Sequence, residues 1–394
     1  LAACLATCLA IGVPAAAGAD EALAAPPSAQ ELARWIAQLG DDDYAVRQQA
    51  SLRLLEAGPA AESALRPALS SRDPEVRDRA QRLLAAIRQR EQHRRLVAFL
   101  AHQGDDDDPR LGGWSLFRRL AGDSRASRQW FAQMYRAEAS LLDQLNSDSQ
   151  QAILDAYNRR LTALQEDRAR AAALLPGAPS GAYDVPAPSV AALLLVAADP
   201  RIPAAALDGA SLYSLVQQPT MYQELSAGTH RELLLRLLDA VVGREFSTQL
   251  AYQHCLLAMQ YDLKSALEPA RKFVTRQDVP SSTRLYAVLA IGKLGTADDL
   301  EVLRPLLDDA TQCWVWQIGK QRYSLQLRDA ALAASIHLSG GNPRDFGFAR
   351  LQGNPQMLFA PHSLGFADDQ ERAAALRAWQ SSQRRADNAG GAAP

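Results

Sequence analysis

The chain has 394 residues and a formal net charge of −2; 48% of it is hydrophobic and only 6% aromatic. That length provides two or three ordinary domains or one elongated repeat array, with enough apolar content for a substantial core. Cations and anions are interspersed, which excludes the clustered basic excess of a nucleic-acid binder. Much of the apolar content is Ala and Leu, a mixture that suits packed helices.

Residues 1–19 stand apart. Leu1 to Val13 is an apolar run, Pro14 breaks it, and Ala17-x-Ala19 offers a small-residue cleavage site before the first charge at Asp20. This pattern predicts a secretory signal peptide over 1–19, a leader over 20–29, and an exported protein, periplasmic or extracellular. Leu1-Ala2-Ala3-Cys4 imitates a lipoprotein box, but the apolar run continues well past Cys4, where a true box would end. Cys4 and Cys8 leave with the signal. Export permits a disulfide between the remaining Cys255 and Cys313, although the apolar helical setting of Cys255 suits a buried free thiol. After cleavage no run approaches the roughly 20 apolar residues of a membrane span. The longest, Val190 to Ala198, is far too short.

Helical periodicity then appears in Gln30–Leu39, Tyr44–Ala57, Ala60–Leu69 and Pro74–Arg90, separated by Gly40-Asp41-Asp42-Asp43, by Gly58-Pro59 and by a short polar turn. At an offset of 30, Leu39 matches Leu69, Asp43 matches Asp73, Val46-Arg47 matches Val76-Arg77, Ala50 matches Ala80, and Leu54 matches Leu84. Six identities at one offset indicate internal repetition, and units of this size stack as helical hairpins. The pattern returns in Arg284-x-x-Ala287 and in Arg328-x-x-Ala331, led by first helices over Lys264–Thr275 and Asp298–Leu307.

On these residues the chain resembles the HEAT-repeat family. The carrying positions are Asp43, Val46, Arg47 and Ala50; Asp73, Val76, Arg77 and Ala80; Arg284 and Ala287; and Arg328 and Ala331. The resemblance implies an all-α superhelix of stacked hairpins, here with a small β-hairpin insert near the C-terminus. In such a stack the aliphatic at the Val position faces the core and the Ala lets the paired helix approach. The Arg, with the Asp of the preceding turn, forms a ladder from repeat to repeat. The family pattern covers 30–90 and 263–340. The middle, 91–262, is helical but divergent, with long segments at Trp130–Leu145 and Gln150–Leu174, an acidic loop at Gly104–Gly113 and a linker at 176–188.

The run Cys313-Trp314-Val315-Trp316-Gln317-Ile318, then Gly319-Lys320, then Gln321-Arg322-Tyr323-Ser324-Leu325, alternates with period two about a Gly-containing turn. It predicts a β-hairpin within 312–325. An irregular cap with a final helix is expected over 341–380 and a disordered tail over 381–394. Hairpin and cap together are similar to the C-terminal module of exported bacterial HEAT-like proteins of uncharacterised role.

Chemistry is sparse. The six His, at 93, 102, 230, 254, 337 and 362, form no His-Glu-x-x-His, and the mature chain has no Cys-x-x-Cys, so neither a metal nor a cofactor is expected. Asp105–Asp108 lacks the ligand order of a calcium loop. There is no Gly-x-Ser-x-Gly and no phosphate-binding Gly-rich loop. The basic run from Arg88 to Arg95 reads as a solvated helix end. The surface singled out is the hairpin, where Trp314, Trp316 and Tyr323 lie beside Arg322, the residue types that anchor protein interfaces. The expectation is therefore a scaffold or adaptor that binds another protein, without catalysis, nucleic acid or a membrane span. Two rivals are a small-ligand carrier, with Trp114, Phe117, Trp130, Phe131 and Tyr135 lining a cavity, and an enzyme on a helical-repeat scaffold.

Overall fold

The computed structural model describes residues 26–101, 111–174, 177, 179, 181–207, 209–245 and 247–390. The expected signal segment, leader residues 20–25, the acidic loop across 102–110 and residues 391–394 lie outside the described residues. The described chain is all-α with two small antiparallel β-hairpins. It divides into two units, Leu1–Arg94 and Arg95–Pro394.

The helices that start in the first unit are α1 (Ala29–Ala37), α2 (Tyr44–Ala57), α3 (Pro59–Leu65) and α4 (Pro74–Ala101), the last of which runs on from Arg95 into the second. Each start has a local cause. The Ser28 hydroxyl accepts the Glu31 N–H and the Glu31 carboxylate accepts the Ser28 N–H, a reciprocal cap on α1. Asp43 accepts the Ala45 N–H at 2.8 Å, and Asp73 accepts the Glu75 N–H at 2.8 Å. The offset of 30 is thus a structural repeat, and it extends to the arginines. Arg47 Nη1 donates to the carbonyls of Asp41 and Asp42 at 2.6 and 2.9 Å, and Arg77 Nη1 to those of Ser71 and Arg72 at 2.7 and 3.1 Å.

Ala50, Leu54, Ala80 and Leu84 fill the core with Leu39, Leu65 and Ile87. Val76 is buried, while Val46 is half-buried. The equivalence fails at Leu39, fully buried, and Leu69, which is 43% exposed. Gly40, beside Leu39, lies so close to the head of α4 that a Cβ there would be 2.5 Å from the Asp73 carboxylate and 2.8 Å from Val76. The second hairpin therefore covers the end of the first, and within this unit no third hairpin among the described residues covers Leu69.

In the second unit the end of α4 is followed by α5 (Trp114–Ala121), α6 (Arg125–Leu142), α7 (Gln150–Leu174) and α8 (Ala187–Ala197). Every residue of α8 from Ser189 to Ala197 is buried, which is why that segment carries no charge. Around it pack α6, α7, α9 (Gly209–Val216), α10 (Pro219–Ala227) and α11 (Arg231–Val242). Then α12 (Ala251–Tyr261) and α13 (Leu267–Val274) pack on α14 (Ser281–Leu294). The short α15 (Leu300–Leu303) is followed by β1 (Gln312–Ile318), β2 (Gln321–Gln326) and α16 (Leu327–Leu338). Helix α16 packs on α14, and contact is close because Gly292 has no side chain: a Cβ there would be 2.9 Å from Ala334 Cβ. Ala287 and Ala331 are both fully buried.

The two first helices expected in this region are broken. Lys264–Ala266 is a tight 3₁₀ turn ahead of α13, and Arg304–Asp308 is another after α15, where Pro305 ends the α-helix. The chain closes with β3 (Gly353–Asn354), β4 (Leu358–Phe359) and α17 (Asp369–Gly390). The expected disordered tail is corrected over part of its length: α17 runs past Gln380 to Gly390. Residues 381–389 contain neither Gly nor Pro to stop it.

Candidate functional site

Strands β1 and β2 pair antiparallel, with Trp314 opposite Leu325, Val315 opposite Ser324, Trp316 opposite Tyr323 and Gln317 opposite Arg322. The turn is Gly319-Lys320, and Gly319 takes φ 60°, a conformation a two-residue hairpin loop requires and glycine permits. Alternation along the strands then sorts the side chains. Trp314, Trp316, Ile318 and Tyr323 share one face, while Val315, Gln317, Ser324 and Arg322 share the other. Trp316 and Tyr323 stack with ring centroids 6.0 Å apart and planes 18° from parallel. Trp314 and Ile318 on the same face remain 41% and 53% exposed.

Of the four predicted site residues, Arg322 is the exception. It pairs opposite Gln317 and points to the reverse face from the rings. The cation over the rings is Arg350, from the coil after α16, whose guanidinium carbon lies 3.8 Å from the Tyr323 ring centroid and 5.9 Å from that of Trp316. Nothing local in the sequence marks Arg350, because its position depends on how that coil returns across the sheet.

The hairpin is held along the β2 edge and on part of its ring face, where Leu325 is fully buried. Ser324 exchanges backbone hydrogen bonds with Phe366, its N–H donating at 3.0 Å and its carbonyl accepting at 3.1 Å. Trp316 lies against Gly365, where a Cβ would be 2.4 Å from the indole. Arg372 of α17 donates from Nη2 to the Ser324 carbonyl at 3.1 Å and from Nε to Asp329 Oδ1 at 2.6 Å. Burial raises the Asp329 carboxyl above its ordinary range even with Arg372 opposing the shift. Cys313 Sγ donates to the Ser281 carbonyl at 3.5 Å, and burial pushes its thiol up to about 12, so it stays protonated. Cys313 and Cys255 are both free thiols, and Cys255 is buried within α12.

The repeat-head arginines do not form the expected ladder with the Asp of their own turns. Asp43 and Asp73 are helix caps, and Arg47 reaches across the hairpins to Glu75 at 3.7 Å. Arg284 is buried, donates from Nε to the Val274 carbonyl at 2.9 Å and pairs with Asp309 at 2.9 Å. Arg328 bonds to Gln326 at 2.6 Å and to Asp369 at 3.1 Å. A carboxylate in the turn is worth more as a cap on free helix N–H groups than as a partner for an arginine that finds carbonyls nearby.

The middle helices place Trp114, Phe117, Phe131 and Tyr135 in one ring cluster with Phe99. Centroid separations are 4.8 Å for Phe99–Trp114, 5.9 Å for Trp114–Phe117 and 5.2 Å for Trp114–Phe131. Trp130 stacks on His230 at 4.0 Å. These rings fill space by packing on each other.

A cleft of 540 Å³ nearby includes Arg201, Arg244, Ser247, Thr248 and Arg276 in its lining. Its cations are engaged. Arg201 holds Asp199 at 2.6 Å, Arg276 holds Asp278 at 2.5 Å, and Arg244 donates to the carbonyls of Ala197 and Ile202. In the same unit His254 is buried edge-on to Tyr213, and burial, with the Arg244 charge, drives its pKa down to about 3. That His is a neutral core residue at physiological pH.

No family model, curated protein or solved structure matches the chain. Among the described residues no group of three or more His, Cys, Asp or Glu gathers that could hold a metal ion. No helix among them is long and apolar enough to cross a membrane.

Proposed function

We propose that this protein is an exported scaffold that binds another protein, built from helical hairpins of the HEAT kind, and that the β1–β2 hairpin carries its binding face. The observation that carries this reading is the aromatic face itself. Trp314 and Ile318 stand 41% and 53% exposed beside a Trp316–Tyr323–Arg350 stack braced by Gly365 and Phe366. Tryptophan, tyrosine and arginine are enriched among the residues that dominate binding energy at interfaces. The two aromatics bury large areas at small conformational-entropy cost, and the planar guanidinium of arginine stacks and hydrogen-bonds. Exposed apolar side chains on a fixed support also avoid the ordering penalty that a flexible loop would incur on binding. The repeat geometry around Asp43 and Asp73, with matching arginine contacts at Arg47 and Arg77, supports the stacked-hairpin part, and the apolar run of 1–19 supports export.

The test is in-cell crosslinking of the tagged full chain, with mass spectrometry of what joins it in the envelope fraction. Trp314→Ala and Ile318→Ala together are expected to remove a reproducible partner while the helical circular dichroism persists. Identical crosslinks from the variant and the parent chain would sink the assignment of the hairpin as the binding face.

A further inference from the structure

The hydrogen-bonding pattern of the hairpin states more than its side chains do. In an antiparallel strand the N–H and C=O of one residue point to the same side, and successive residues alternate sides. The N–H and C=O of Ser324 both bond to Phe366, outward from β2. Ser324 therefore cannot bond to Val315, its opposite number on β1. It follows that Val315 and, two residues on, Gln317 turn their own N–H and C=O groups to the far edge of β1. Among the described residues no backbone or side-chain hydrogen bond reaches any of these four groups. The start of the same edge is closed, since Ser281 of α14 donates to the Gln312 carbonyl at 2.7 Å. The open stretch is Trp314–Ile318, a run without a charged residue, a proline or a glycine. Folded proteins ordinarily blunt such an edge with charge, proline or a bulge; the register shift of β1 falls at Cys313, before this stretch, and the stretch itself pairs regularly.

We infer that the partner binds by adding an extended segment of its own chain to the outer edge of β1, with its backbone bonded to Val315 and Gln317. This rests on the hairpin being the binding face and goes further, because it names the chemistry of the occupant. Two donors and two acceptors alternating along one line fit an extended backbone and no helix, whose own N–H and C=O groups are already paired. Trp314 and Ile318 on one face call for apolar side chains at alternate positions of the incoming segment. The open edge spans about 17 Å. Pairing through so short an edge covers far less than the roughly 1,000 Å² expected of a stable interface between two folded bodies. A flexible segment or a chain terminus therefore fits the edge better than a second copy of this protein.

The experiment pans the full-length chain against a displayed library of linear peptides about 10 residues long, then measures each selected peptide in solution. The variants are Val315→Pro and Gln317→Pro, each of which deletes one outward N–H on an edge strand where proline is tolerated. Trp314→Ala tests the face. Circular dichroism and tryptophan fluorescence check that each hairpin stays folded. The expected result is at least a tenfold loss of peptide affinity in each proline variant, with slowed exchange of the Val315 and Gln317 amides in the parent complex. Peptides that depend on Trp314 but not on either proline variant, and leave those amides unprotected, would overturn strand addition and leave the hairpin as the binding face. Peptides indifferent to all three variants, or no selected peptides, would overturn strand addition; the crosslinking comparison then decides the binding face separately. A concentration-dependent dimer abolished by Gln317→Pro would replace the foreign strand with a second copy.

Discussion

Arg372 of α17 donates to Asp329 in the first turn of α16 at 2.6 Å, with the Arg side chain 5% exposed and the Asp side chain fully buried. Arg372 also holds the Ser324 carbonyl, so one guanidinium ties the last helix to both the core helix and the hairpin. Removing one member of a buried pair strands the other charge, at a cost of about 3–5 kcal/mol. Arg372→Ala is expected to lower stability by that amount in denaturant titration and to weaken the near-ultraviolet circular dichroism of the Trp316–Tyr323 stack. Arg372→Met with Asp329→Leu should recover much of the loss, since no unpaired charge remains. A single substitution with no effect would show that the pair is not formed.

Gly292 tests helix packing against helix propensity. Replacing a helical Gly with Ala gains at most about 1 kcal/mol of propensity, and Gly292 lies in the last turn of α14. The added methyl would sit 2.9 Å from Ala334 Cβ and 3.0 Å from Leu358, and the first of these cannot swing aside because it is fixed to the backbone of α16. Overpacking of that kind costs about 1–3 kcal/mol. The packing term is expected to win, so Gly292→Ala should lower the melting temperature; a rise would mean that α14 and α16 can separate freely.

His254 sets a pH dependence. Its ordinary value of 6.5 falls to about 3 in the folded chain through burial, so unfolding takes up a proton at any pH between the two. The depressed value means that its contribution to stability is fully present above 6.5 and is lost as pH falls toward 3. The slope from this one group is at most about 1.4 kcal/mol per pH unit. Urea titrations between pH 7.5 and pH 5 should show a smaller loss for His254→Gln than for the parent chain. Equal losses would mean that His254 is not buried neutral.

Asp43 and Asp73 provide a matched pair. Each accepts the N–H two residues on at 2.8 Å. Replacing a helix N-cap with Ala costs about 1 kcal/mol. Asp43→Ala should therefore speed amide exchange at Ala45, and Asp73→Ala at Glu75, by about fivefold. Widely different responses would break the equivalence of the two hairpins.

Much of this was legible in advance. The offset of 30 located the two N-terminal hairpins, because caps, turns and small packing residues act within a few positions of each other. Alternation about Gly319-Lys320 located the β-hairpin for the same reason. The ends of elements were less legible. Helix α17 continues to Gly390 through a polar stretch that reads as a tail but contains good helix formers, and the first helix expected at Asp298–Leu307 is divided by Pro305. At the candidate site the sequence singled out Trp314, Trp316 and Tyr323, and the strand register sets them on one face. It misplaced the cation, because Arg322 is adjacent in sequence to Tyr323 yet lies on the opposite face by strand alternation.

By itself, then, the order of residues determined the all-α class, the repeat and the hairpin, since each depends on periodicity and on contacts made within a few residues. Only the tertiary structure decided that Arg350 covers the rings, that Gly365 admits Trp316, that Arg372 finds Asp329 at a separation of 43 residues, and that Phe366 closes one edge of the hairpin while the edge of β1 stays open. Those contacts join segments far apart in the chain. Their geometry follows from how whole helices pack, and no local pattern encodes it.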